Sequence, residues 1–262
     1  NISQWKNGAR LPLFITATCE FSRFDNIEKN IVTEEITGIS SAGEKILLSR
    51  EGGGIAMMST TRLAYSSPNY ALNKNIMDLA FDPDGEGNAL RLGDIIRVAK
   101  NNSGNSSSKR NFHLLGDPAT RLAFPWHGNI VTDSINNSRV NETTDTLRAL
   151  SLITVSGHVE DQGGSVMTSF SGMVSPRVYG KESVSFTLAN DGGEKVEFRQ
   201  QKNILFSGQT HALNGRFSFS FIVPRDIDYE FGKGKISYYA SDDSVDMTGF
   251  YDRFEVGAFD TS

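Results

Sequence analysis

The pattern of hydrophobic and polar positions divides the chain into two halves. Up to about residue 127, short apolar runs alternate with stretches whose apolar residues recur every three to four positions. From residue 128 onwards, apolar and polar residues alternate with a period of two between clusters of Gly, Asn and Asp. The first pattern is typical of a mainly parallel sheet covered by helices, and the second of an antiparallel sandwich. We therefore expect two domains, residues 1–127 and 128–262.

Individual elements follow from these patterns. In the first half we predict helices over 42–49, 70–81 and 90–100, and strands over 11–18, 55–60 and 112–115. The segment 65–69 is predicted to be a loop because it is rich in serine and contains a proline. In the second half the predicted strands are 152–159, 184–188, 216–223 and 235–240. Asn214 and Gly215 predict a two-residue hairpin turn with positive φ at both positions.

Composition and charge narrow the class of protein. The chain has 262 residues, of which 38% are hydrophobic and 22% charged, as expected for a folded protein. The net charge is −5 and the sequence has no basic tract, which argues against nucleic acid as a partner. No apolar run approaches the roughly 18 residues that span a bilayer. The chain begins Asn1-Ile2-Ser3 without an initiator methionine, so we expect a fragment of a longer protein.

The single cysteine, Cys19, is the main candidate for chemistry. It follows an apolar run over residues 11–18 and precedes a polar turn, which places its thiol at the carboxyl edge of the predicted sheet. A lone cysteine excludes an intramolecular disulfide. Two interpretations remain at this point: Cys19 is a small buried hydrophobic residue, or it is a nucleophile.

A nucleophilic cysteine needs a base, which is usually a histidine. His158 and His211 lie in the β-rich half, where we expect sheet or surface positions, and His127 lies at the domain junction. His113 would approach Cys19 only if their strands are neighbours, and an ordinary core or edge position explains it equally well. The histidines of this chain therefore supply no convincing partner for the nucleophile.

Five sequence blocks resemble the gingipain-type cysteine peptidases. The resemblance is greatest to the branch of C-terminal signal peptidases (sortases) of the type IX secretion system of Bacteroidetes. The blocks occur in the family's order across nearly the whole chain. They are 11–25 (LPLFITATCEFSRFD), 52–62 (GGGIAMMSTTR) with 65–69 (YSSPN), 112–122 (FHLLGDPATRL), 217–224 (FSFSFIVP) and 234–240 (GKISYYA).

The resemblance implies a fold and a mechanism. Residues 1–127 would be the C-terminal part of a caspase-like α/β peptidase domain, and residues 128–262 an all-β immunoglobulin-like sandwich. Cys19 would be the nucleophile that forms an acyl-enzyme, and its backbone N–H one donor to the oxyanion. The family's base is a histidine in a His-Gly motif on the preceding strand, which lies before Asn1. We therefore expect residues 1–262 alone to be inactive.

The resemblance also implies substrates and partners. The substrate class would be the C-terminal signal domains of secreted proteins, and outer-membrane components of the type IX secretion system would be partners. The acyl group would pass to water or to an amine, with an anionic lipopolysaccharide as one acceptor that anchors the cargo. The protein would then be exported and lie at the outer membrane or cell surface of a Gram-negative bacterium.

Two further groups of residues are candidates for binding. The loop over residues 60–69 would line the substrate cleft through Thr61, Tyr65 and Ser66, or it would be an ordinary turn. Asp82, Asp84 and Glu86, followed by Gly87, resemble the start of a calcium loop. The twelfth position of that loop is Gly93, so the bidentate glutamate is missing and a solvated loop explains the acids equally well. We expect no other cofactor.

Two classes of function other than an enzyme remain open. The β-rich half would dock on another secretion component, which would make the chain a binding or scaffold module. A carbohydrate-binding sandwich is a third alternative, because we expect Tyr238, Tyr239 and Tyr251 to be exposed. A His-Gly motif upstream of this chain would favour the enzyme over both alternatives.

Overall fold

The chain folds into two compact units, Asn1–Phe124 and Pro125–Ser262, each with its own hydrophobic core. The computed structural model describes residues 2–84, 88–125, 127–140, 146–190 and 192–259. None of the helices among these residues has the length and apolar character required to cross a membrane.

The first unit combines strands with three α-helices. Short 3₁₀ turns at Ile2–Gln4 and Ser107–Asn111 complete its regular structure. The elements are β1 (Leu13–Ile15), β2 (Ile27–Lys29), β3 (Ile36–Gly38), α1 (Ala42–Leu47), β4 (Ala56–Thr60), α2 (Ser66–Ala80), α3 (Leu92–Asn102) and β5 (Phe112–Leu115).

The central sheet of the first unit has the strand order β1-β4-β5. β1 runs parallel to β4, with Leu13 opposite Ala56, whereas β5 runs antiparallel to β4, with Phe112 opposite Thr60. The sheet is therefore mixed, and the prediction of a mainly parallel sheet is wrong in its third strand. The reason is the number of helices between the two strands. After a single helix, the next strand would start at the edge where β4 starts and would run parallel to it. Two helices, α2 and α3, bring the chain back to the edge where β4 ends, so β5 starts there and runs antiparallel.

The core of the first unit lies between this sheet and the helices α2 and α3. All five residues of β4 are buried, as expected for a central strand. Leu72 and Ile76 of α2 and Leu92 and Ile95 of α3 are at most 1% exposed and form the apolar sides of the two helices. This packing fixes the position of β4, against which the Cys19 segment lies.

Helix α2 begins four residues earlier than the sequence predicts. Ser66 is its first residue, and Pro68 lies within the first turn. A proline is tolerated there because the first N–H groups of a helix have no intrahelical acceptor. The prediction of a loop over residues 65–69 is therefore wrong for residues 66–69.

A hairpin formed by β2 and β3 occupies a stretch that the sequence pattern leaves without elements. All six strand residues are exposed. At its tip, Ile31 and Val32 are 93% and 92% exposed. The strands were missed because they are three residues long and lack a buried face, so no period of two marks them.

The second unit is built almost entirely of strands. Its strands are β6 (Gly128–Ile135), β7 (Ser138–Arg139), β8 (Thr146–Ala149), β9 (Leu152–Asp161), β10 (Gly172–Tyr179), β11 (Ser183–Phe186), β12 (Glu197–Gln200), β13 (Ile204–Ser207), β14 (Thr210–Ala212), β15 (Arg216–Ile222), β16 (Gly232–Lys233), β17 (Lys235–Ser241), β18 (Asp246–Tyr251) and β19 (Glu255–Phe259).

The main sheet of this unit curls around one core. Its path runs β13-β10-β17-β18-β6-β9-β15, with β14 beside β10 and β7 beside β6. β13 and β15 lie at opposite ends of this path, yet Phe206 of β13 stacks on Phe219 and Phe221 of β15 with ring centroids 5.5 and 4.9 Å apart. The pairs are antiparallel except between β18 and β6, which meet in parallel at Thr248 and Asn129. The predicted strands of this half are confirmed, and the immunoglobulin-like and caspase-like topologies stay predictions.

Two local features of the second unit follow from its sequence. The hairpin turn between β14 and β15 is confirmed, because Asn214 and Gly215 have φ values of 51° and 72°. Tyr238 is only 3% exposed and its hydroxyl lies 2.7 Å from that of Thr132. Burial raises the pKa of Tyr238. The expectation of an exposed Tyr238 is therefore wrong, and Tyr251 is half-buried, which leaves Tyr239 as the exposed member of the three.

Candidate active site

Cys19 lies in a bend beyond the carboxyl end of β1. The sequence pattern predicts that Cys19 is the last residue of this strand. Strand β1 ends at Ile15, so this prediction is wrong. The thiol is free and exposed, which excludes a role as a buried core residue. The carboxyl ends of β1 and β4 meet at this edge because the two strands are parallel.

The turn that carries Cys19 is attached to β4 on both sides. Before the cysteine, the hydroxyl of Thr60 donates a hydrogen bond to the carbonyl oxygen of Thr18. After the cysteine, the N–H of Ser22 donates to the carbonyl oxygen of Thr60 at 3.0 Å. Between them, Glu20 has a φ of 54°, a left-handed conformation that non-glycine residues rarely adopt. The thiol is therefore held at the apex of a tight turn.

Helix α1 packs against this turn. Ser22 is fully buried, and its hydroxyl lies 3.2 Å from the sulfur of Met57. Gly43 of α1 packs so closely that a Cβ there would lie 3.0 Å from the Cβ of Ser22 and 3.0 Å from the sulfur of Met57. The helix begins with a capping box in which Ser41 and Glu44 satisfy each other's backbone N–H groups.

The backbone of Ala64 contacts the thiol. The sulfur of Cys19 lies 3.4 Å from the carbonyl oxygen of Ala64 and 3.5 Å from its amide nitrogen. The carbonyl accepts the S–H of the thiol, and the N–H faces the same sulfur as a donor. One residue of the neighbouring loop thus offers both kinds of hydrogen-bonding group to the candidate nucleophile.

The loop that carries Ala64 is attached to the start of β5. The side-chain amide of Asn111 donates to the carbonyl oxygen of Leu63 at 2.6 Å. The N–H of Thr61 donates to the carbonyl oxygen of Asn111 at 2.8 Å. Asn111 therefore holds the loop at two points, one on each side of Arg62, and so fixes the position of Ala64.

His113 lies at the same edge but does not reach the thiol. Its Nδ1 lies 3.1 Å from the hydroxyl of Thr61, and its ring meets that of Phe24 edge to face at 6.3 Å. Two strand spacings of about 4.8 Å separate β5 from β1, so His113 is roughly 10 Å to the side of β1. Among the described residues, no histidine is hydrogen-bonded to Cys19.

The other histidines lie in the second unit, where His127 and His158 have acidic partners. His158 lies 2.8 Å from the carboxylate of Asp133 and 3.5 Å from that of Glu160. His127 lies 3.7 Å from the carboxylate of Asp246, and His211 is on strand β14. The described side-chain partners of His127 and His158 are carboxylates and not a thiol or a hydroxyl.

Charged side chains near the thiol form two ion pairs. Glu20 and Arg23 are 3.0 Å apart, and Asp25 binds both terminal nitrogens of Arg62. The hydrogen bonds from Arg62 hold the pKa of Asp25 below its usual value. The carboxylate of Asp25 is therefore negatively charged and already bound by Arg62.

The three residues predicted to line the cleft differ in position. Thr61 is 3% exposed and its hydroxyl faces His113, so it supports the site from inside rather than lining it. Tyr65 is exposed, and its N–H lies 3.4 Å from the hydroxyl of Ser108. Ser66 is the exposed first residue of α2. The loop itself is shorter than predicted and spans residues 61–65.

The candidate calcium loop is only partly described. Glu86 lies outside the described residues. Asp84 accepts a hydrogen bond from the N–H of Asn88 at 2.8 Å, and its carboxylate lies 3.4 Å from Arg121. Among the residues that the structure describes, no group of three or more His, Cys, Asp or Glu side chains is arranged to hold a metal ion. The calcium site stays a prediction.

The sequence contains no signal for Asn111 or Ala64 at this site, and Phe24 stands in the block 11–25 with no role assigned to it. Ala64 acts through its backbone, and the role of Asn111 depends on the reversed direction of β5. A signal for His113 was present in the block 112–122, but its neighbours were not predictable without the strand order.

Comparisons with known proteins relate the first unit to a peptidase family. Residues 1–123 match the family model of peptidase family C25. A search of curated protein sequences found no match. The similar solved structures of PorU and the gingipains have TM-scores below 0.5, so the relation to this family rests on the sequence match.

Similar solved structures include a latent PorU and two gingipain chains. Dimeric latent PorU from Porphyromonas gingivalis is 23% identical with a TM-score of 0.48, and the match covers 91% of this chain and 22% of PorU. The Arg-specific cysteine proteinase gingipain R is 11% identical with a TM-score of 0.40, over 98% of this chain and 48% of that chain. The complex of Porphyromonas gingivalis RgpB pro- and mature domains is 10% identical with a TM-score of 0.40, over 97% and 48%. This chain thus spans about a fifth of PorU and about half of each gingipain chain.

Proposed function

We propose that this chain is part of a cysteine peptidase whose nucleophile is Cys19, because residues 1–123 match the family model of peptidase family C25. The observation that carries the proposal is the exposed thiol at the carboxyl end of β1, held at the apex of a turn that β4 fixes on both sides. A nucleophile on a rigid turn at a sheet edge is accessible to a polypeptide and keeps its orientation.

The proposed reaction proceeds through a thioester. The Cys19 thiolate attacks the carbonyl carbon of the scissile peptide bond, and the electron pair of the carbonyl moves to oxygen. The oxyanion collapses, the C–N bond breaks, and the leaving amine takes a proton from the general acid. Water or an amine then attacks the thioester, donates a proton to the base and releases the Cys19 thiolate.

The backbone of the turn would stabilise the oxyanion. Within the described residues, the N–H of Cys19 has no hydrogen-bond acceptor. An N–H that is free in the resting state and lies on the nucleophile itself faces the oxygen that becomes negative in the tetrahedral intermediate. Ala64 would donate to the sulfur at the same stage, when its S–H is lost.

The base is proposed to lie outside residues 1–262. Among the described residues, His113 is bonded to Thr61 instead of Cys19, and the sequence resemblance assigns the base to a His-Gly motif on another strand. We therefore expect this chain alone to cleave no peptide. Turnover by the isolated chain that disappears in the Cys19→Ala variant would contradict this assignment of the base.

The substrate class is proposed from the sequence blocks that resemble the C-terminal signal peptidases of the type IX secretion system. The substrates would be C-terminal signal domains of proteins exported by the type IX secretion system, with outer-membrane components of that system as partners. The acyl group would be transferred to an amine, such as that of an anionic lipopolysaccharide, which would make the enzyme a sortase. An exported location at the outer membrane follows from the same proposal.

The nucleophile is tested by covalent labelling of the full-length protein. A peptidyl chloromethyl ketone that carries a signal-domain sequence should label the wild type and not the Cys19→Ala variant, as judged by intact mass. Gly38→Ala is a suitable control, because a Cβ at this exposed glycine would meet nothing within 4 Å. Equal labelling of wild type and Cys19→Ala would refute the proposal and favour the scaffold module.

The transfer reaction needs its own experiment. The wild-type full-length protein, incubated with a signal-domain fusion and an added amine such as glycine amide, should release the cargo as its amide. Release of only the free acid at high amine concentration would support a peptidase and reject the sortase step.

A further inference from the structure

The acids beside Cys19 are occupied by arginines of the same chain. Glu20 is paired with Arg23, and Asp25 is held by both terminal nitrogens of Arg62. An arginine or lysine side chain of a substrate would have to displace one of these pairs to reach a carboxylate. The described part of the site is therefore not suited to a cationic side chain.

Apolar side chains near the same turn are exposed to solvent. Phe24, five residues after the cysteine, is 53% exposed. Leu63 and Tyr65, on either side of Ala64, are 70% and 79% exposed. Exposed apolar groups beside a reaction centre gain free energy when a ligand covers them. The surroundings of the thiol thus favour an apolar ligand.

Phe24 and His113 form a fixed aromatic surface within this region. The two rings are 6.3 Å apart at an interplanar angle of 85°, the edge-to-face geometry that aromatic pairs prefer. Thr61 holds the histidine through a 3.1 Å hydrogen bond, and its hydroxyl is buried and so has no alternative partner in solvent. The ion pair of Asp25 with Arg62 anchors the residue next to Phe24 to the residue next to Thr61.

The position of this aromatic pair relative to the thiol determines which residues of a bound substrate it would contact. His113 lies two strands, or about 10 Å, to the side of β1, and the Cys19 turn lies beyond the carboxyl end of β1. An extended polypeptide advances by about 3.3 Å per residue. A side chain within about three residues of the scissile bond would therefore reach the pair.

We propose that Phe24 and His113 form a specificity-determining subsite that binds an uncharged apolar or aromatic side chain within three residues of the scissile bond. The inference rests on the proposed function, because it assumes that Cys19 attacks a peptide bond. Thr61 is a positioning residue in this arrangement, since it acts through His113. The ligand is a segment of the substrate polypeptide.

The test is a positional scan of peptides cleaved by the full-length protein. At one of the three positions on either side of the cleaved bond, Phe or Leu should give a kcat/KM about tenfold higher than Lys or Glu. In the Phe24→Ala and His113→Ala variants this ratio should fall to about twofold or less through a higher KM, with kcat unchanged. Phe24→Leu should keep the preference.

A matched control comes from the second unit. Phe186 is 56% exposed, similar to Phe24, and lies on strand β11 far along the chain. Phe186→Ala should leave every rate within about twofold of wild type. A preference for Lys or Arg at all six positions, or an unchanged preference for Phe in Phe24→Ala, would overturn the inference.

Covalent probes separate failure of the subsite from failure of the nucleophile. In a peptidyl chloromethyl ketone the thiolate displaces chloride and forms a thioether, so labelling reports on binding and attack without turnover. If Cys19→Ala is labelled as fast as wild type, the proposed function and the subsite both fail. If Cys19 is labelled but probes with Phe and Lys at the chosen position react equally fast, the subsite alone is rejected.

Discussion

Replacement of Gly43 by alanine tests whether the helix below the Cys19 turn fixes its position. Gly43 is buried in α1, and a Cβ there would lie 3.0 Å from the Cβ of Ser22 and 3.0 Å from the sulfur of Met57. Both atoms belong to buried residues, so neither moves at low cost. The extra methyl group therefore has to push the turn away from the helix.

Two opposing terms set the expected change in the free energy of unfolding. Alanine is favoured over glycine in a helix by about 1 kcal/mol. Overpacking a well-packed site costs typically 1–3 kcal/mol, and we take about 2 kcal/mol because the added Cβ would clash with the Ser22 hydroxyl and crowd two further buried atoms. Gly43→Ala should therefore destabilise the first unit by about 1 kcal/mol.

The assay is urea unfolding of the variant followed by a double-mutant cycle. Ser22→Ala removes the oxygen nearest to the added methyl group, so Gly43→Ala should cost about 1 kcal/mol less in that background. Gly38→Ala is the control: a Cβ there would meet nothing within 4 Å, and the change should stay within about 0.5 kcal/mol. A Gly43→Ala protein that is more stable than wild type, with no coupling to Ser22, would refute the reasoning.

Two further predictions concern a charge and a buried hydrogen bond. Because its arginine partner lowers the pKa of Asp25, the wild type should be more stable than Asp25→Asn above about pH 4. This difference in stability should disappear as the pH falls through the lowered pKa of Asp25. Urea unfolding of both proteins from pH 2 to 7 measures it. A difference in stability that persists at pH 2 would contradict the prediction. In the second unit, Tyr238→Phe leaves the buried hydroxyl of Thr132 without its partner 2.7 Å away and should cost roughly 1–3 kcal/mol. Adding Thr132→Val should recover most of this loss in denaturant unfolding, and a loss that the second change does not reduce would show that the hydrogen bond is not responsible.

Elements with a clear period were predictable from the sequence. Helix α3 and the strands β9, β15 and β17 lie where their apolar spacing places them, because each has one buried face. The hairpin turn at Asn214 and Gly215 was predictable from local chemistry, since few residues tolerate positive φ. These are features in which the residues themselves carry the information.

Features that depend on chain direction or on the backbone were not predictable. The direction of β5 depends on the number of helices before it, and no residue in β5 encodes it. The hairpin of β2 and β3 has no buried face, so its residues resemble a polar connection. The site was found through Cys19, whereas its surroundings required the strand order that places Phe24 beside His113.

The contact between Cys19 and Ala64 uses only main-chain atoms of the alanine. Any residue except proline carries the same N–H and carbonyl groups, so the side chain at position 64 is free to vary without loss of the contact. Comparison of sequences would therefore assign no importance to this position. The contact with the thiol depends on the backbone conformation of the loop. It is therefore kept through most substitutions that change the side chains of the loop.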